Sequence, residues 1–389
     1  MLWAAGSCLT LLAGAAICVA DETPADWLAR TDRALATRNY EGVFVHEHAG
    51  ETETLRVIHR VGSDGVSERL LSMDGSGREF IRKGSQLLCY LPDQRTVLVE
   101  RASEARLLLG GLPHIDAMSA GLYRITELQK MRVSGRDARV IAVTPMDQMR
   151  YGYRVWIDEA TAMPLKTQLR NGQGQVLEQI VFTDLRLPAH IAKGELEPAV
   201  DARNYRWAQH LDDPVESHGL SVSWEPSALP PGFRMTVSAR QVLHSGPVEH
   251  LVFSDGLAAV SVFVEIGRGQ RAEQVSDDAA TIGSSSAYST VVQGYRVTAV
   301  GEVPPDTVRA IAQSIRAPAP EPSIADALLG VAIPRGSIFD PVSGSQSSLG
   351  PNRPGPADTG APAGFGVPAA GGPGTTAFGV APGIIPGRH

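Results

Sequence analysis

The sequence contains few cysteines, few aromatic residues and no excess of basic residues. Of its 389 residues, three are Cys and 6% are aromatic, and the formal net charge is −7. A protein that binds nucleic acid neutralises phosphates with clustered Lys and Arg, and no such cluster occurs. The composition therefore argues against a nucleic-acid partner, while the length suffices for two domains that each bury a core.

The first 20 residues have the pattern of a secretory signal peptide. Residues 2–20 carry no charge and end in small residues, although no Lys or Arg precedes them. We predict cleavage after Ala20; the alternative is an uncleaved membrane anchor. Cleavage would remove Cys8 and Cys18 and leave Cys89 as the one thiol, so no disulfide could form within the chain. A homodimer is left open.

Residues 21–188 have the pattern of a domain built mainly of strands. Thr23 and Pro24 predict the start of a helix that runs to about Arg38. Consecutive strands with short turns then predict an antiparallel meander that curls and keeps one face dry. Alternating apolar residues place these strands near 41–46, 55–61, 66–72, 78–83, 86–91, 95–100, 138–144, 151–158, 163–170 and 175–185.

A linker, a smaller domain and a tail follow. The alternation lapses over 189–219, which predicts a linker, and returns over 220–316. From 317 to 389 the chain has 13 Pro and 14 Gly in 73 residues, a composition that predicts disorder. In the smaller domain we predict strands near 220–225, 233–243, 248–254, 257–266 and 287–300, then a helix beginning at Pro304–Asp306 and ending before Pro318.

No motif in the sequence predicts an enzyme. It has neither a Gly-x-Ser-x-Gly nucleophile elbow nor a Gly-rich phosphate loop between a strand and a helix. His46 and His48 share one face of a strand, with His59 on the next, and could hold Zn²⁺ if a carboxylate joined them. Histidines on strands more often serve as half-buried polar residues, so we predict no metal and no cofactor. Binding is the default function.

Two sets of residues are candidates for binding. A curled sheet can leave an apolar hollow for an apolar ligand. The alternation of apolar and polar residues alone does not distinguish residues that line this hollow from residues of the core. Arginine forks bind phosphate and carboxylate, so an arginine group in the second domain could meet an acidic headgroup or a partner. The hollow candidates are Phe44, Val57, Leu88, Val155, Ile157 and Val181, and the arginines are Arg234, Arg240, Arg268 and Arg271.

Several segments, in order along the chain, resemble the MucB/RseB family. The resemblance covers about residues 24–316, so it is far more specific than any single motif. It is carried by 90–93 (YLPD), 97–100 (VLVE), 156–166 (WIDEATAMPLK), 171–174 (NGQG), 229–233 (LPPGF), 251–257 (LVFSDGL) and 300–304 (VGEVP).

This resemblance implies a fold and a function. The N-terminal domain would be similar to LolA and LolB, an unclosed antiparallel β-barrel with helical cover, followed by a smaller C-terminal α+β domain. The protein would act in the periplasm, binding the periplasmic region of a single-pass membrane anti-sigma factor and protecting it from proteolysis until lipid or lipopolysaccharide releases it. The resemblance brings no catalytic residues. The alternative function is a periplasmic lipid or lipoprotein carrier.

Overall fold

The computed structural model describes residues 22–75, 77–101, 121–209, 224–243, 246–265 and 277–317. The predicted signal peptide, the tail beyond 317, and Arg268 and Arg271 lie outside these residues. The N-terminal domain is defined here as residues 22–209 and the C-terminal domain as residues 224–317. None of the helices in the described part of the chain combines the length and apolar character that crossing a bilayer requires.

The helix α1 (Pro24–Thr37) begins where the sequence predicts. The Thr23 hydroxyl accepts a hydrogen bond from the Asp26 backbone N–H at 3.2 Å, and the Asp26 carboxylate accepts one from the Thr23 N–H at 2.9 Å. This reciprocal capping box satisfies two backbone donors that the first turn leaves without partners. Its buried face, which includes Trp27 and Leu35, joins the core of the large sheet.

Twelve strands form one sheet in the N-terminal domain. They are β1 (Tyr40–His48), β2 (Glu51–Gly62), β3 (Gly65–Ser72), β4 (Glu79–Lys83), β5 (Gln86–Leu91), β6 (Thr96–Arg101), β7 (Tyr123–Val133), β8 (Arg136–Pro145), β9 (Gly152–Asp158), β10 (Pro164–Arg170), β11 (Val176–Arg186) and β12 (Arg206–Gln209).

Their order is β12-β6-β5-β4-β3-β2-β1-β11-β10-β9-β8-β7. Each pair is antiparallel except β6 and β12, which are parallel, and among the described residues β7 and β12 do not pair with each other. The predicted unclosed antiparallel barrel is therefore confirmed. Helix α1 packs with the buried residues of this sheet and supplies the predicted helical cover.

Much of the segment predicted as a linker packs on the N-terminal sheet instead. Strand β12 hydrogen-bonds along β6. Ahead of it, Ile191 and Leu196 form a buried cluster with Ile58, and Val200 packs against a second cluster that contains Ile81. The period-two pattern lapses here because contacts come from irregular backbone and one short strand. Of the predicted linker 189–219, residues 210–219 lie outside the described chain.

Strand β7 has no counterpart among the predicted strands. Its residues are mostly exposed, because β7 is the last strand of the sheet and buries little of either face. Polar and charged residues consequently interrupt the alternation that identifies the other strands. Among the described residues, β7 forms backbone hydrogen bonds with one neighbouring strand, β8.

The C-terminal domain is a smaller α+β unit, as predicted. A six-stranded antiparallel sheet has the order β14-β15-β16-β19-β18-β17, and β13 and β20 form a separate pair. Helix α2 buries Val308 and Ile311 in the core of this domain. The elements are β13 (Glu225–Pro226), β14 (Arg234–Leu243), β15 (Gly246–Ser254), β16 (Ala259–Glu265), β17 (Asp278–Ile282), β18 (Ser285–Val292), β19 (Tyr295–Gly301), α2 (Pro305–Ser314) and β20 (Ile315–Arg316).

The predicted strand at 287–300 is wrong in one respect, because it is two strands. β18 and β19 form a hairpin whose turn is Gln293-Gly294, and both residues have positive φ, 52° and 83°. A non-glycine residue rarely adopts this conformation, so Gln293 conceals the turn in the sequence. Strand β17, which is exposed along its length, was also absent from the prediction.

Candidate functional site

The two domains meet through a buried ion pair. Arg150, in the loop between β8 and β9, donates from Nη1 to the Asp255 carboxylate of the C-terminal domain at 2.5 Å. Both side chains are 0% exposed. Tyr123 Oη donates to the same Asp255 oxygen at 2.9 Å. Because charges in a protein interior are stable only when paired and hydrogen-bonded, these contacts fix one arrangement of the domains.

The remaining polar atoms of this ion pair also have partners. The Arg150 Nε and Nη2 donate to the two carboxylate oxygens of Asp147, each at 3.0 Å, and Nη2 also donates to the Pro231 carbonyl at 2.6 Å. The second oxygen of Asp255 accepts from the Leu257 N–H at 2.8 Å. Burial alone would lower the pKa of Arg150, but its carboxylate partners raise it, and the guanidinium stays charged.

Two further contacts flank the ion pair. The Thr307 hydroxyl, in the first turn of α2, donates to the Met149 carbonyl at 2.7 Å. On the other side, Gly232 has φ +83°, and a Cβ placed there would lie 2.3 Å from Cδ1 of Leu122. Only glycine combines that backbone conformation with so close an approach. The domains are therefore held by packing as well as by charge.

A cluster of two histidines and a glutamate lies at a third contact. Glu178 on β11 pairs directly with His48 on β1. Glu178 Oε1 lies 2.7 Å from His46 Nε2, and Oε2 lies 3.7 Å from His48 Nδ1. The Ser284 hydroxyl of the C-terminal domain donates to Glu178 Oε2 at 3.4 Å, and a Cβ at Gly283 would lie 2.7 Å from His48 Cε1. We name His46, His48 and Glu178 the His–Glu cluster.

The pKa values in this cluster reflect its pairing. Burial alone would raise the pKa of Glu178, yet the hydrogen bond from His46 and the nearby His48 lower it to about 2. Glu178 in turn raises the pKa of His48, against the opposing effect of burial, and Glu302 and Glu51 add to that rise. The cluster therefore concentrates negative charge around two imidazoles.

Of the three histidines that the sequence groups, the structure brings together two. His59 lies in a different place, where its Nδ1 is 2.9 Å from Glu68 and its ring stacks on Tyr40 with centroids 4.6 Å apart. Glu178 supplies the carboxylate that the sequence left unidentified, 132 residues from His46. The strand register places it there, and no local motif marks it.

The six candidates for the apolar hollow fall into three environments. Phe44, Val57, Val155 and Ile157 belong to the buried core of the N-terminal domain. Leu88 packs in a separate cluster that contains Ile81 and Tyr90, and Val181 is half-buried. Their role in lining a ligand site stays a prediction.

The arginine candidates within the described residues both lie on β14, an end strand of the small sheet. Arg234 is exposed, and Arg240 Nε lies 3.4 Å from the Glu249 carboxylate. Arg240 is thus already paired within the domain. Arg268 and Arg271 lie outside the described residues, so the proposed cluster stays a prediction.

No sequence pattern indicates the residues that join the domains. Arg150, Asp147 and Tyr123 lie in ordinary loop or strand patterns, and Asp255 stands before a glycine, as a turn residue does. The pair is separated by 105 residues, and nothing local signals such a contact. Fold and junction together define a class of protein, namely a two-domain protein in which an open β-sheet domain is joined by charged contacts to a smaller α+β domain.

Comparisons with known proteins identify the family. The MucB/RseB N-terminal domain model matches residues 23–200, and the MucB/RseB C-terminal domain model matches residues 219–316. The chain is 36% identical over 300 residues to the sigma factor AlgU regulatory protein MucB of Pseudomonas aeruginosa, covering 75% of this chain and 90% of that protein. This chain belongs to the MucB/RseB family, which confirms the resemblance found in the sequence.

More distant relatives and solved structures agree. The sigma-E factor regulatory protein RseB of Escherichia coli is 27% identical over 313 residues, which are 76% of this chain and 92% of that protein. The structure of the Pseudomonas aeruginosa MucA/MucB complex has a TM-score of 0.61 and 34% identity, covering 76% of this chain and 99% of that chain. A crystal structure of MucB has a TM-score of 0.52 and 32% identity, covering 76% of this chain and 98% of that chain.

Proposed function

We propose that this protein is a periplasmic negative regulator of an envelope-stress sigma factor. It binds the periplasmic region of a membrane anti-sigma factor and protects that region from regulated proteolysis. The observation that carries the proposal is the match of both domains, in order, to a family whose named members regulate sigma factors, one of which has been solved in complex with MucA(peri).

We infer that the partner contacts the C-terminal domain and the region where the domains meet. A rigid junction supports this assignment, because a partner that touches both domains gains affinity when they are already oriented. The Arg150–Asp255 ion pair and the Thr307–Met149 hydrogen bond supply that rigidity.

Release follows if lipid or lipopolysaccharide binds better to a second domain arrangement. A ligand shifts such an equilibrium only by its differential affinity for the two states. Opening the junction would break hydrogen bonds to charged groups, each worth about 1.5–3 kcal/mol, while water partly replaces them. A differential affinity of about 10- to 100-fold therefore suffices to offset one such bond.

The test uses the chain from residue 21 onward and the purified periplasmic region of the organism's own anti-sigma factor. We expect a complex by calorimetry, slower cleavage of the anti-sigma region by its site-one protease, and loss of both effects on adding lipopolysaccharide micelles. Absence of any complex would refute the regulatory proposal. Transfer of a co-purified lipid to acceptor vesicles without an anti-sigma factor would instead favour a carrier.

A further inference from the structure

The His–Glu cluster has the composition of a zinc site. Two imidazoles and one carboxylate are a ligand set that zinc uses in proteins, with a fourth position left for water. Calcium and magnesium prefer oxygen ligands, so this set does not suit them. His46 and His48 are on the same face of β1 by the period of two, and Glu178 is opposite His48 on the neighbouring strand.

The distances agree with a shared ion. The ligand atoms of the three side chains all lie within 4.8 Å of one another, and the closest pair, His46 Nε2 and Glu178 Oε1, is 2.7 Å apart. A tetrahedral zinc ion with bonds of about 2.0–2.1 Å places its ligands about 3.3 Å apart. The observed separations of 2.7 Å and 3.7 Å between Glu178 and the two imidazoles lie on either side of that value.

The surroundings favour a divalent cation. The side chains of His46 and His48 are 7% and 10% exposed, and that of Glu178 is 19% exposed. Glu302 and Glu51 also act electrostatically on His48. These two further carboxylates add to the attraction for a cation, and limited access to water strengthens that attraction.

The cluster lies against the C-terminal domain. Ser284 Oγ is 3.4 Å from Glu178 Oε2, and Gly283 approaches the His48 ring so closely that a side chain would not fit. The ion would therefore be bound where the turn between β17 and β18 meets the large sheet.

We propose that His46, His48 and Glu178 form a zinc site at the contact between the two domains. This site is independent of anti-sigma binding, so either proposal can fail without the other. Bound zinc would link β1 to β11 beside the Gly283-Ser284 turn.

Calorimetric titration of the metal-stripped chain, from residue 21 onward, with Zn²⁺ tests the proposal. We expect one equivalent to bind at this site, and Glu178→Gln and His46→Asn each to weaken that binding at least about tenfold, since changes even in outer-shell partners of a metal site cost about 10- to 100-fold. His190→Asn is the matched control, because His190 is an exposed histidine outside the cluster. It should bind like the unaltered chain.

A spectroscopic readout accompanies the titration. Co²⁺ in place of Zn²⁺ should give the intense visible absorption of a four-coordinate ion, and Glu178→Gln should abolish it. Glu178→Gln nearly preserves the size of the side chain, so it decides the question if His46→Asn fails to fold by circular dichroism. Equal Zn²⁺ binding by the unaltered chain and Glu178→Gln, absence of binding, or equal binding of Mg²⁺ would each overturn the proposal.

Discussion

Replacing Asp255 by Asn should loosen the junction between the domains. The change keeps the shape of the side chain but removes the charge that faces Arg150 at 2.5 Å. Loss of one member of a buried ion pair costs about 3–5 kcal/mol. Asp147 still neutralises Arg150 from the other side, so we expect the free energy of unfolding to fall by about 2–3 kcal/mol. Urea denaturation followed by tryptophan fluorescence measures the change.

A double-mutant cycle isolates the contribution of the pair. Arg150→Met alone leaves a buried carboxylate, whereas the double variant removes both charges. We expect the double variant to be more stable than the sum of the single losses predicts, by about 1.5–3 kcal/mol. The Arg203–Asp201 pair, whose side chains are 86% and 61% exposed, is the control and should show no measurable coupling. A coupling below about 0.5 kcal/mol for Arg150 and Asp255 would refute the role assigned to the junction.

Three further predictions concern single residues. Gly232→Ala should lower the free energy of unfolding by about 2–4 kcal/mol, because it adds backbone strain and a clash with Leu122. Gly194→Ala is the control and should cost little, because a Cβ at Gly194 meets nothing within 4 Å. Equal losses of stability in the two variants would contradict this account. Burial raises the pKa of Cys89 to about 12, so at pH 8 only about one thiol in 10⁴ is ionised. Mass spectrometry should therefore find Cys89 unlabelled by iodoacetamide in the folded protein and labelled in urea. Rapid labelling of the folded protein would show instead that the thiol is accessible. Thr23→Ala removes the cap of α1 and should cost about 1 kcal/mol; an unchanged melting temperature would show that the end of the helix does not limit stability.

Local patterns in the sequence predicted much of the fold. The start of α1 follows from a capping box within four residues, and the hairpins of the first six strands follow from alternation bounded by turn residues. Strand β7 is not predicted from the sequence, because an end strand that is largely exposed does not need alternating apolar residues. The β18–β19 turn is not predicted either, because Gln293 adopts a positive-φ conformation that usually requires glycine.

The site was less predictable than the fold. The sequence could place His46 and His48 on one face of a strand, because two residues separate equivalent positions. It could not supply Glu178, whose position depends on β11 pairing with β1 across more than a hundred intervening residues. The same holds for Arg150 and Asp255, which come from different domains. Contacts of this kind depend on tertiary register, which residue spacing does not encode.

The way the chain leaves the large sheet limits how the protein can be divided. Strand β12 covers the outer edge of β6, and the segment before it shields Ile58 and Ile81. A fragment truncated at residue 188 would expose the unpaired edge of β6 and the apolar surface around Ile58 and Ile81. Exposed strand edges and apolar patches promote aggregation. A fragment ending after Gln209 keeps residues 189–209, which cover this surface. It should therefore remain monodisperse in size-exclusion chromatography.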